Sequence, residues 1–502
     1  MNRANVSMNR INVGIKRNGD PELRYPGPEH FFSPDERYPE YPFRHVAPQA
    51  NPVYRMVRDL LREMRLDEPH YGTAAWNPLG DWIRRGQKVF ALVNFVTVRR
   101  PMQSLTDFSA MVTHPSVIRA VLDYLIIATG DAALVNFGNS PVQSAEMDKL
   151  AEQSGAIRLR EFYLRYTGQE VGPHDLRLYI SQVNTLGSRK GAQEFDPSDE
   201  VAFDLGAGSL LDALPERAFA GFRVEDYGSD APRTFHRKGK HVYKVHRRVV
   251  ESDVIFHVAK LKTHGKVGLT GALKGGVGAI TRKECLAHHR CGSAEEGNDE
   301  FRRSTMLTQI YAALGERATA DCPNSVRILH KTLGRILDRL LRVDIRGSWH
   351  GNDTAWRMAL DIDKCLLYGR RDGAISAAPV RKICCLLDGI VSGEGDGPIY
   401  VRGRSDGLLV LSCDPCFADL GSALLMGFDP ARLPLLREAF REGDLPINSA
   451  PVAAATFLLN GRPVAAADIP GRIVAPFRAP RGWIGHIEYL AGAELSSVEA
   501  ST

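Results

Sequence analysis

Long apolar runs are missing from this sequence of 502 residues. No stretch approaches the roughly 18 to 20 uninterrupted apolar residues that a membrane-spanning helix needs. The start of the chain, MNRANVSMNRINVGIKRNGD, also lacks the apolar segment of a secretion signal. These absences argue against a membrane partner, and we expect a cytoplasmic protein.

Phosphate-binding and nucleic-acid-binding signatures are missing as well. The glycine-rich part of the chain contains no Walker A motif and no Gly-x-Gly-x-x-Gly fingerprint. The formal charge of +5 is mild for a chain of this length, and no nucleic-acid reader motif is recognisable. Nucleic acid is therefore not an expected partner. The oligomeric state does not follow from the sequence.

The eight cysteines show no pairing pattern. They are scattered through the second half of the chain, and Cys413-Asp-Pro-Cys416 is a single Cys-x-x-Cys without the second pair of a structural zinc site. The clustered Cys-x-x-Cys-x-x-Cys run of ferredoxins is absent. We expect free thiols and neither a disulfide framework nor an iron–sulphur cluster.

Positive charge, glycine and imidazole are concentrated between residues 258 and 301. From Lys260 to Arg290 there are seven Lys or Arg residues and one acid, Glu284. Long cations are seldom buried without partners, so this density beside glycines indicates a site that receives an anion. A solvated basic loop is the alternative interpretation.

The apolar, β-rich run at 254–259 predicts a buried strand in front of these cations. Side chains alternate along a strand, so Lys260, Lys262 and His264 share one face if the strand continues. A glycine-rich turn follows, and residues 269–280 predict a short helix that carries Lys274. A strand, a glycine turn and a helix start together provide backbone N–H groups and close approach for an anion.

These positions define two predicted sets. Lys262, Lys274 and Arg290 are expected to hold the anion, while His264 with one neighbouring imidazole transfers protons near neutral pH. The candidate catalytic residues are Lys262, His264, Lys274, His288 and His289. The candidate substrate-binding residues are Asn94, Lys260, Gly268, Thr270, Gly271, Lys283 and Arg290.

A second candidate site is acidic. Asp388, Glu394 and Asp396 follow an apolar strand and lie among glycines. Hard cations bind carboxylates on short flexible loops, so the three predict a divalent metal site; Mg, Ni, Fe and Zn are not distinguished. A plain turn is the alternative, and so are acids that act as general bases or orient the lysines. His264 with one of His288 and His289 is a weaker candidate metal pair.

The order of apolar runs predicts an α/β fold with a mainly parallel sheet and helices on both faces. Thr113, His114 and Pro115 should open a helix, with Pro115 at an early helical position, that runs to about Thr129, before Gly130. We predict an extended N-terminal arm (1–50), an α/β domain (51–445) and a small β-rich C-terminal unit (446–502). A break near 155–245 would divide the domain into two lobes. Predicted strands are 88–98, 133–138, 254–259, 381–390 and 407–413, the last two flanking a loop.

Six separated motifs carry a family resemblance. They are Lys260-Leu-Lys262-Thr-His264, Gly268-Leu-Thr-Gly271-Ala-Leu-Lys274, Leu286-Ala-His288-His289-Arg290, Gly351-Asn-Asp353-Thr354, Asp388-Gly-Ile and Glu394-Gly-Asp-Gly-Pro398. Together they resemble the domain-of-unknown-function family numbered 362 from about residue 88 to 440. Members with ferredoxin modules are labelled iron–sulphur proteins, but no such module is present here. The glycine and lysine segment is also distantly similar to that of nickel-pincer lactate racemases.

The chain departs from the family pattern at three places. Leu92-Val93-Asn94 stands where Lys-Pro-Asn is typical, Asn139-Ser140-Pro141 where Asp-Ala-Pro is typical, and Gly275 where Asn is typical. One cation and one carboxylate expected from the resemblance are therefore missing near the predicted cleft. This puts the retention of the family's activity in question.

Three functions remain open from the sequence. The first is a metal-assisted enzyme that acts on a small phosphorylated or carboxylated metabolite in a cleft rich in Lys, His and Arg. The second is a non-catalytic metal, iron–sulphur or redox protein. The third is a scaffold that binds an anion without chemistry. Substrate and reaction type do not follow from the residues.

Overall fold

The computed structural model describes residues 11–183, 189–194, 196–224, 231–318, 322–340 and 342–490. The first ten residues of the predicted arm and the last twelve of the predicted C-terminal unit lie outside this range. So do parts of the predicted break near 155–245.

The described residues contain strands of very different length. They are β1 (Ile11–Arg17), β2 (Val89–Val93), β3 (Val135–Asn139), β4 (His174–Asp175), β5 (Tyr179–Val183), β6 (Arg189–Glu194), β7 (Glu200–Asp204), β8 (Phe222–Arg223), β9 (His236–Arg237), β10 (Lys240–His246), β11 (Val254–His264), β12 (Gly268–Leu269), β13 (His289–Arg290), β14 (Lys382–Asp396), β15 (Tyr400–Ser412), β16 (Ala455–Leu459) and β17 (Arg462–Val464).

The α-helices lie between and after these strands. They are α1 (Pro52–Glu63), α2 (Leu105–Met111), α3 (Pro115–Thr129), α4 (Met147–Ser154), α5 (Ile157–Thr167), α6 (Arg247–Val250), α7 (Met306–Arg317), α8 (Asn324–Arg335), α9 (Ala355–Tyr368), α10 (Pro415–Leu425) and α11 (Pro434–Ala439).

Helix α3 has the bounds that the sequence predicts. Pro115 occupies the first turn, where its missing N–H is not needed, and Nδ1 of His114 accepts a hydrogen bond from the N–H of Ser116. Gly130 ends the helix with a φ of 81°, a left-handed conformation that glycine adopts without strain. Local capping chemistry therefore defined both ends.

The predicted mainly parallel sheet is confirmed. Its strand order is β17-β16-β1-β15-β14-β11-β2-β3-β4, and β12 pairs with β11. Neighbours from β14 to β4 are all parallel, while β15 joins β14 and β1 in antiparallel fashion. The parallel part is buried on both faces: β2 and β11 are buried at every residue.

Alternate residues of the central strands contribute to two cores. Val89, Ala91 and Val93 belong to a core with α1, α3 and α5, whereas Phe90 and Leu92 belong to one with α9, α10 and α11. The period of two along β2 thus assigns each side chain to one face of the sheet. Helices cover both faces, as the sequence predicts.

Both ends of the chain contribute to this sheet. Strand β1 lies within the segment predicted as an extended arm, yet it pairs with β15 on one side and β16 on the other. Strands β16 and β17, in the predicted C-terminal unit, reach the sheet through β1. The alternation of apolar and polar residues in β1 is short, so the sequence did not predict that β1 pairs with β15 and β16.

The predicted loop between 390 and 407 is instead an antiparallel hairpin of β14 and β15. Glycines in this segment permit close strand packing rather than a loop. A Cβ at Gly393 would lie 2.9 Å from Cβ of Lys262, and one at Gly397 would overlap the carbonyl of Thr263. Glu394 and Asp396 therefore lie on a paired strand, which corrects the loop placement.

By length and composition alone, the helical run Leu105–Thr129 could cross a membrane. Of its most apolar 18-residue window, 89% is buried inside the protein. That burial is typical of a core helix, and α3 packs accordingly against α1 and the sheet.

Candidate functional site

The parallel register gathers polar residues at the carboxyl ends of the strands. Lys260 of β11 lies opposite Asp388 of β14, and Asn139 of β3 lies opposite Asp175 of β4. Asn94 follows the last residue of β2. Ligands of open α/β sheets bind at these strand ends, so the location is that of a site.

The positive charge of Lys260 is balanced by a carboxylate of the protein. Its Nζ donates to Oδ2 of Asp388 at 2.8 Å and to Oη of Tyr25 at 2.9 Å, and the two charged side chains are fully buried. Oη of Tyr25 donates to Oδ1 of the same carboxylate at 2.6 Å. Burial lowers the pKa of Lys260, and Asp388 opposes that shift. This lysine is part of a closed ion pair.

Lys262, two residues further on, has no carboxylate partner among the described residues. Its Nζ donates to Oδ1 of Asn94 and to the carbonyl of Met111, each at 2.5 Å. Burial, with Lys260 and Lys274 nearby, lowers the pKa of Lys262 well below its usual range. The contact also shows that Asn94, predicted to bind substrate, contacts a predicted catalytic residue.

The segment after β11 is not the predicted helix over 269–280. The described structure has the two-residue strand β12 and a 3-10 helix over Lys274–Ala279 instead. Gly271 has a φ of 52°, outside the α-helical region, and the three glycines of the 3-10 helix have low helix propensity. The flexible backbone at these glycines explains why the predicted α-helix does not form.

The space beside the predicted substrate-binding glycines, Gly268 and Gly271, is filled by side chains of the protein itself. A Cβ at Gly271 would lie 2.1 Å from Oδ1 of Asp419, and a Cβ at Gly268 would lie 2.3 Å from Leu433. In the 3-10 helix, a Cβ at Gly276 would lie 2.5 Å from Oδ1 of Asp363. The glycines thus allow buried carboxyl groups to approach the backbone closely.

Lys274, like Lys262, has no carboxylate within ion-pair distance in the described part of the chain. It is 8% exposed, and burial together with Lys266 lowers its pKa to about 8. Asp363, on α9, is the nearby group that opposes this shift. An amine with such a pKa exchanges protons near neutral pH.

Asp363 is a buried carboxyl group whose Oδ2 has no hydrogen-bond partner. Burial and the neighbouring Asp419 raise its pKa well above the usual range, while Lys274 opposes the shift. Asp419 accepts hydrogen bonds from the N–H groups of Ala272 and Leu273, and burial raises its pKa to about 7. A carboxyl group with a raised pKa therefore lies beside Lys274.

His264 lies among cations. Its Nδ1 accepts a hydrogen bond from the N–H of Lys266 at 3.1 Å. Burial, then Lys274, Lys266, His288 and Lys262, lower the pKa of His264 well below its usual range. The ring is therefore a neutral imidazole at neutral pH. His288 is close enough to contribute to this shift, whereas His289 is not among the causes.

Lys283 and Thr270 extend the same edge. Nζ of Lys283 donates to the carbonyl of Ser140 at 2.9 Å, and burial, with Arg177 and Lys274 next, lowers its pKa to about 7. The buried polar atoms without a hydrogen-bond partner here are Oδ1 of Asn139, Oγ of Ser140 and Oγ1 of Thr270. We call Lys262, Lys266, Lys274 and Lys283, with His264 and His288, the lysine edge.

Arg290 and His289 are directed to other partners. Nη1 of Arg290 lies 3.3 Å from Oδ2 of Asp299 and donates to Oγ1 of Thr354 at 2.9 Å. Nε2 of His289 lies 3.7 Å from Oε1 of Glu300. These two predicted residues thus have acidic partners, which Lys262 and Lys274 lack among the described residues.

The motif Gly351-Asn-Asp353-Thr354 fixes this segment to α9. Nδ2 of Asn352 donates to the carbonyl of His288 at 3.0 Å, while its Oδ1 accepts from the N–H of Ala355 at 2.9 Å. The amide therefore joins the start of α9 to the histidine segment. Asp363 lies on the same helix, so the motif also positions that carboxyl group.

The three predicted metal ligands do not form one group. Asp388 is paired with Lys260, Glu394 lies 2.9 Å from Arg404, and Asp396 accepts from the N–H of Arg481 at 2.8 Å. Among the described residues, no cluster of three or more His, Cys, Asp or Glu has the geometry to hold a metal. The set does not fit a shared ion, and no step is assigned to one.

A cavity of about 390 Å³ lies at the opposite, amino edge of the parallel strands. Its lining includes Asp253, Arg371 and Arg381. The Arg381 guanidinium donates to the carbonyls of Val250 and Leu366, which it holds beside the start of β14. None of the predicted site residues lines this cavity.

Sequence reasoning missed Asp363, Asp419 and Tyr25. Asp363 is one of two acids, with Asp361, in the mostly apolar stretch MALDIDKCLLY, and an ionisable residue on a buried helix face is a recognisable signal. Tyr25 lies in the predicted arm and reaches Asp388 over more than three hundred residues. That contact has no local signal in the sequence.

The comparisons with known proteins concern the middle of the chain. Residues 181–423 match the model of a family described as Domain of unknown function (DUF362). This region contains β11, the glycine segment, α9 and both long strands of the hairpin. No curated protein and no solved structure matches the chain. Over residues 181–423, the chain belongs to the DUF362 family.

Proposed function

We propose that this protein is an enzyme that binds a small phosphorylated or carboxylated metabolite at the lysine edge. The supporting observation is that Lys262, Lys274 and Lys283 are each without a carboxylate within ion-pair distance in the described residues. Buried charge without a counter-ion is costly, so an anionic ligand would supply what the protein does not.

The reaction that this chemistry supports is proton transfer at a carbon atom of the bound metabolite. Neutral imidazole at His264 can accept the proton, and the amine of Lys274 is close to its pKa at neutral pH. The surrounding lysine ammonium groups would stabilise the negative charge that develops on the substrate. Asp363, whose pKa burial and Asp419 raise, lies beside Lys274 and can return a proton in its protonated form.

The first experiment asks which anions bind. A thermal-shift screen of phosphorylated and carboxylated metabolites at pH 7 should find ligands that raise the melting temperature, because they bind only the folded state. Lys274→Met should abolish that rise. Lys149→Met, an exposed lysine on α4, is the matched control and should leave it unchanged.

The second experiment asks whether chemistry occurs. A ligand found in the screen is incubated with the protein in D2O, and exchange of carbon-bound hydrogen is followed by NMR. The expected result is exchange that Lys274→Met and His264→Gln each abolish. Binding without exchange for every ligand would contradict an enzyme and favour an anion-binding scaffold, for which the amide of Asn139 in place of a carboxylate is the supporting observation.

A further inference from the structure

Exposed apolar side chains are concentrated on one helical hairpin. The hairpin consists of α7, α8 and the π-helical turn Ile336–Leu340 that extends α8. Of sixteen large apolar side chains that are exposed in the described residues, seven lie on it. They are Met306, Leu307, Ile310, Ile328, Leu329, Ile336 and Leu340. Such a concentration is unusual for a surface without a partner.

The hairpin has an inner and an outer face. Tyr311, Leu337 and Ile345 form a small core on the inner face. Leu329 on α8 and Ile336 and Leu340 on the π-helical turn are exposed, and we call these three side chains the stripe. Leu340 is 76% exposed and Met306 is 77% exposed. The stripe is therefore open to solvent rather than part of the protein core.

Arginines flank this stripe. Residues 324–342 contain five Lys or Arg residues and a single acid, Asp338. That acid is already paired with Nη2 of Arg481 at 2.7 Å. Arg335, Arg339 and Arg342 are exposed, and no ion pair of theirs occurs within the described part of the chain. Apolar side chains beside uncompensated cations are the pattern of a helix that lies on an anionic bilayer surface.

We propose that the α7–α8 hairpin docks on the surface of an anionic lipid bilayer, with the stripe in the acyl boundary and the arginines at the headgroups. A second copy of the chain fits less well, because a symmetric contact through this face would bring like charges together. The proposal concerns peripheral contact and does not depend on the function of the lysine edge.

Vesicle co-sedimentation tests this. The protein should sediment with vesicles of phosphatidylcholine mixed with phosphatidylglycerol, and much less with phosphatidylcholine alone. Arg335→Gln and Arg339→Gln should each weaken binding about fivefold, and high salt should have the same direction of effect. Ile336→Gln combined with Leu340→Gln should weaken it about tenfold or more. Leu164→Gln, an exposed apolar residue on α5, is the matched control and should change nothing.

Three results would overturn the proposal. One is no sedimentation with the anionic vesicles. Another is equal binding by wild type and all variants. The third is a dimer in sedimentation velocity that the double variant dissociates, because the stripe would then be an interface between copies. If the double variant fails to fold, the arginine variants and the salt dependence of the wild type decide the question.

Discussion

Two regions of the described chain that bury cations differ in how the charge is balanced. On α3, Nη1 of Arg119 lies 2.5 Å from Oδ2 of Asp123, and Nε of Arg58 on α1 lies 2.6 Å from Oε1 of Glu40. At the lysine edge, Lys262 has only amide and carbonyl acceptors. A balanced buried cation is a structural element, whereas under the proposed function an unbalanced one binds an anionic ligand.

The aromatic surroundings reinforce the contrast. Oδ1 and Oδ2 of Asp123 also accept hydrogen bonds from Tyr163 and Tyr54, so both carboxylate oxygens are satisfied. Oδ2 of Asp363 at the lysine edge has no such partner. Asp123 and Asp363 are both buried, but only Asp123 has a hydrogen-bond partner for each carboxyl oxygen. Asp363, which lacks one, lies beside the lysines that have no counter-ion.

Breaking the balanced region should have the largest effect. Arg119→Met leaves the Asp123 carboxylate buried without its cation, so we expect a loss of about 3–5 kcal/mol of unfolding free energy in urea. The double variant Arg119→Met with Asp123→Leu should recover much of the loss, because it removes the remaining charge. A small loss in the single variant would mean that the pair is not a structural element.

Removing a buried cation that has no counter-ion should increase the unfolding free energy, whereas Arg119→Met should decrease it. The pKa of Lys274 is lowered from its ordinary value of 10.5 to about 8, so the unfolded chain binds more protons between these values. Wild-type stability should therefore rise with pH through that window. Lys274→Met should be more stable than wild type by about 3 kcal/mol at pH 7 and by about 1 kcal/mol at pH 10. Urea unfolding at both pH values measures this, and destabilisation at pH 7 would contradict it.

Ligand binding should depend on pH for the same reason. An anion binds the ammonium form of Lys274, so it raises the pKa of that amine above its free value of about 8. Affinity should then fall about tenfold per pH unit above pH 8 for each proton taken up. Isothermal titration with inorganic pyrophosphate at several pH values measures this. Affinity that is independent of pH would show that the amine does not contact the anion.

The smallest effect on stability is expected at the rim of the lysine edge. Lys283 is partly exposed, so solvent screens the effect of burial that lowers its pKa, and Lys283→Met should change the unfolding free energy by less than about 1 kcal/mol. The same variant should still weaken pyrophosphate binding. A large change in stability together with unchanged binding would place Lys283 among the structural cations instead.

Local signals predicted the central strands and α3 well. The strand at 254–259 was recognised from its apolar run, and it extends through Lys260 and Lys262 to His264 as the alternation suggested. The hairpin of β14 and β15 was missed because its glycines resemble turn residues in sequence. Those glycines are explained by contacts with β11 and α2, which lie more than a hundred residues away.

The candidate site was predicted in part for the same reason. Lys262, His264 and Lys274 are close in sequence, and the structure brings them together. Arg290 and His289 are also close in sequence, but they pair with Asp299 and Glu300. Proximity along the chain therefore indicated a cationic region without distinguishing which of its members face one another.

The sequence alone determined the family, the α/β class and the cationic run, because each is written in residue type and short-range spacing. Only the tertiary structure decided which cations are balanced. Lys260 and Lys262 are two residues apart on one strand, yet Asp388 of β14 reaches only the first. Charge compensation depends on distances of a few ångströms between separate strands and helices, and no local pattern encodes those distances.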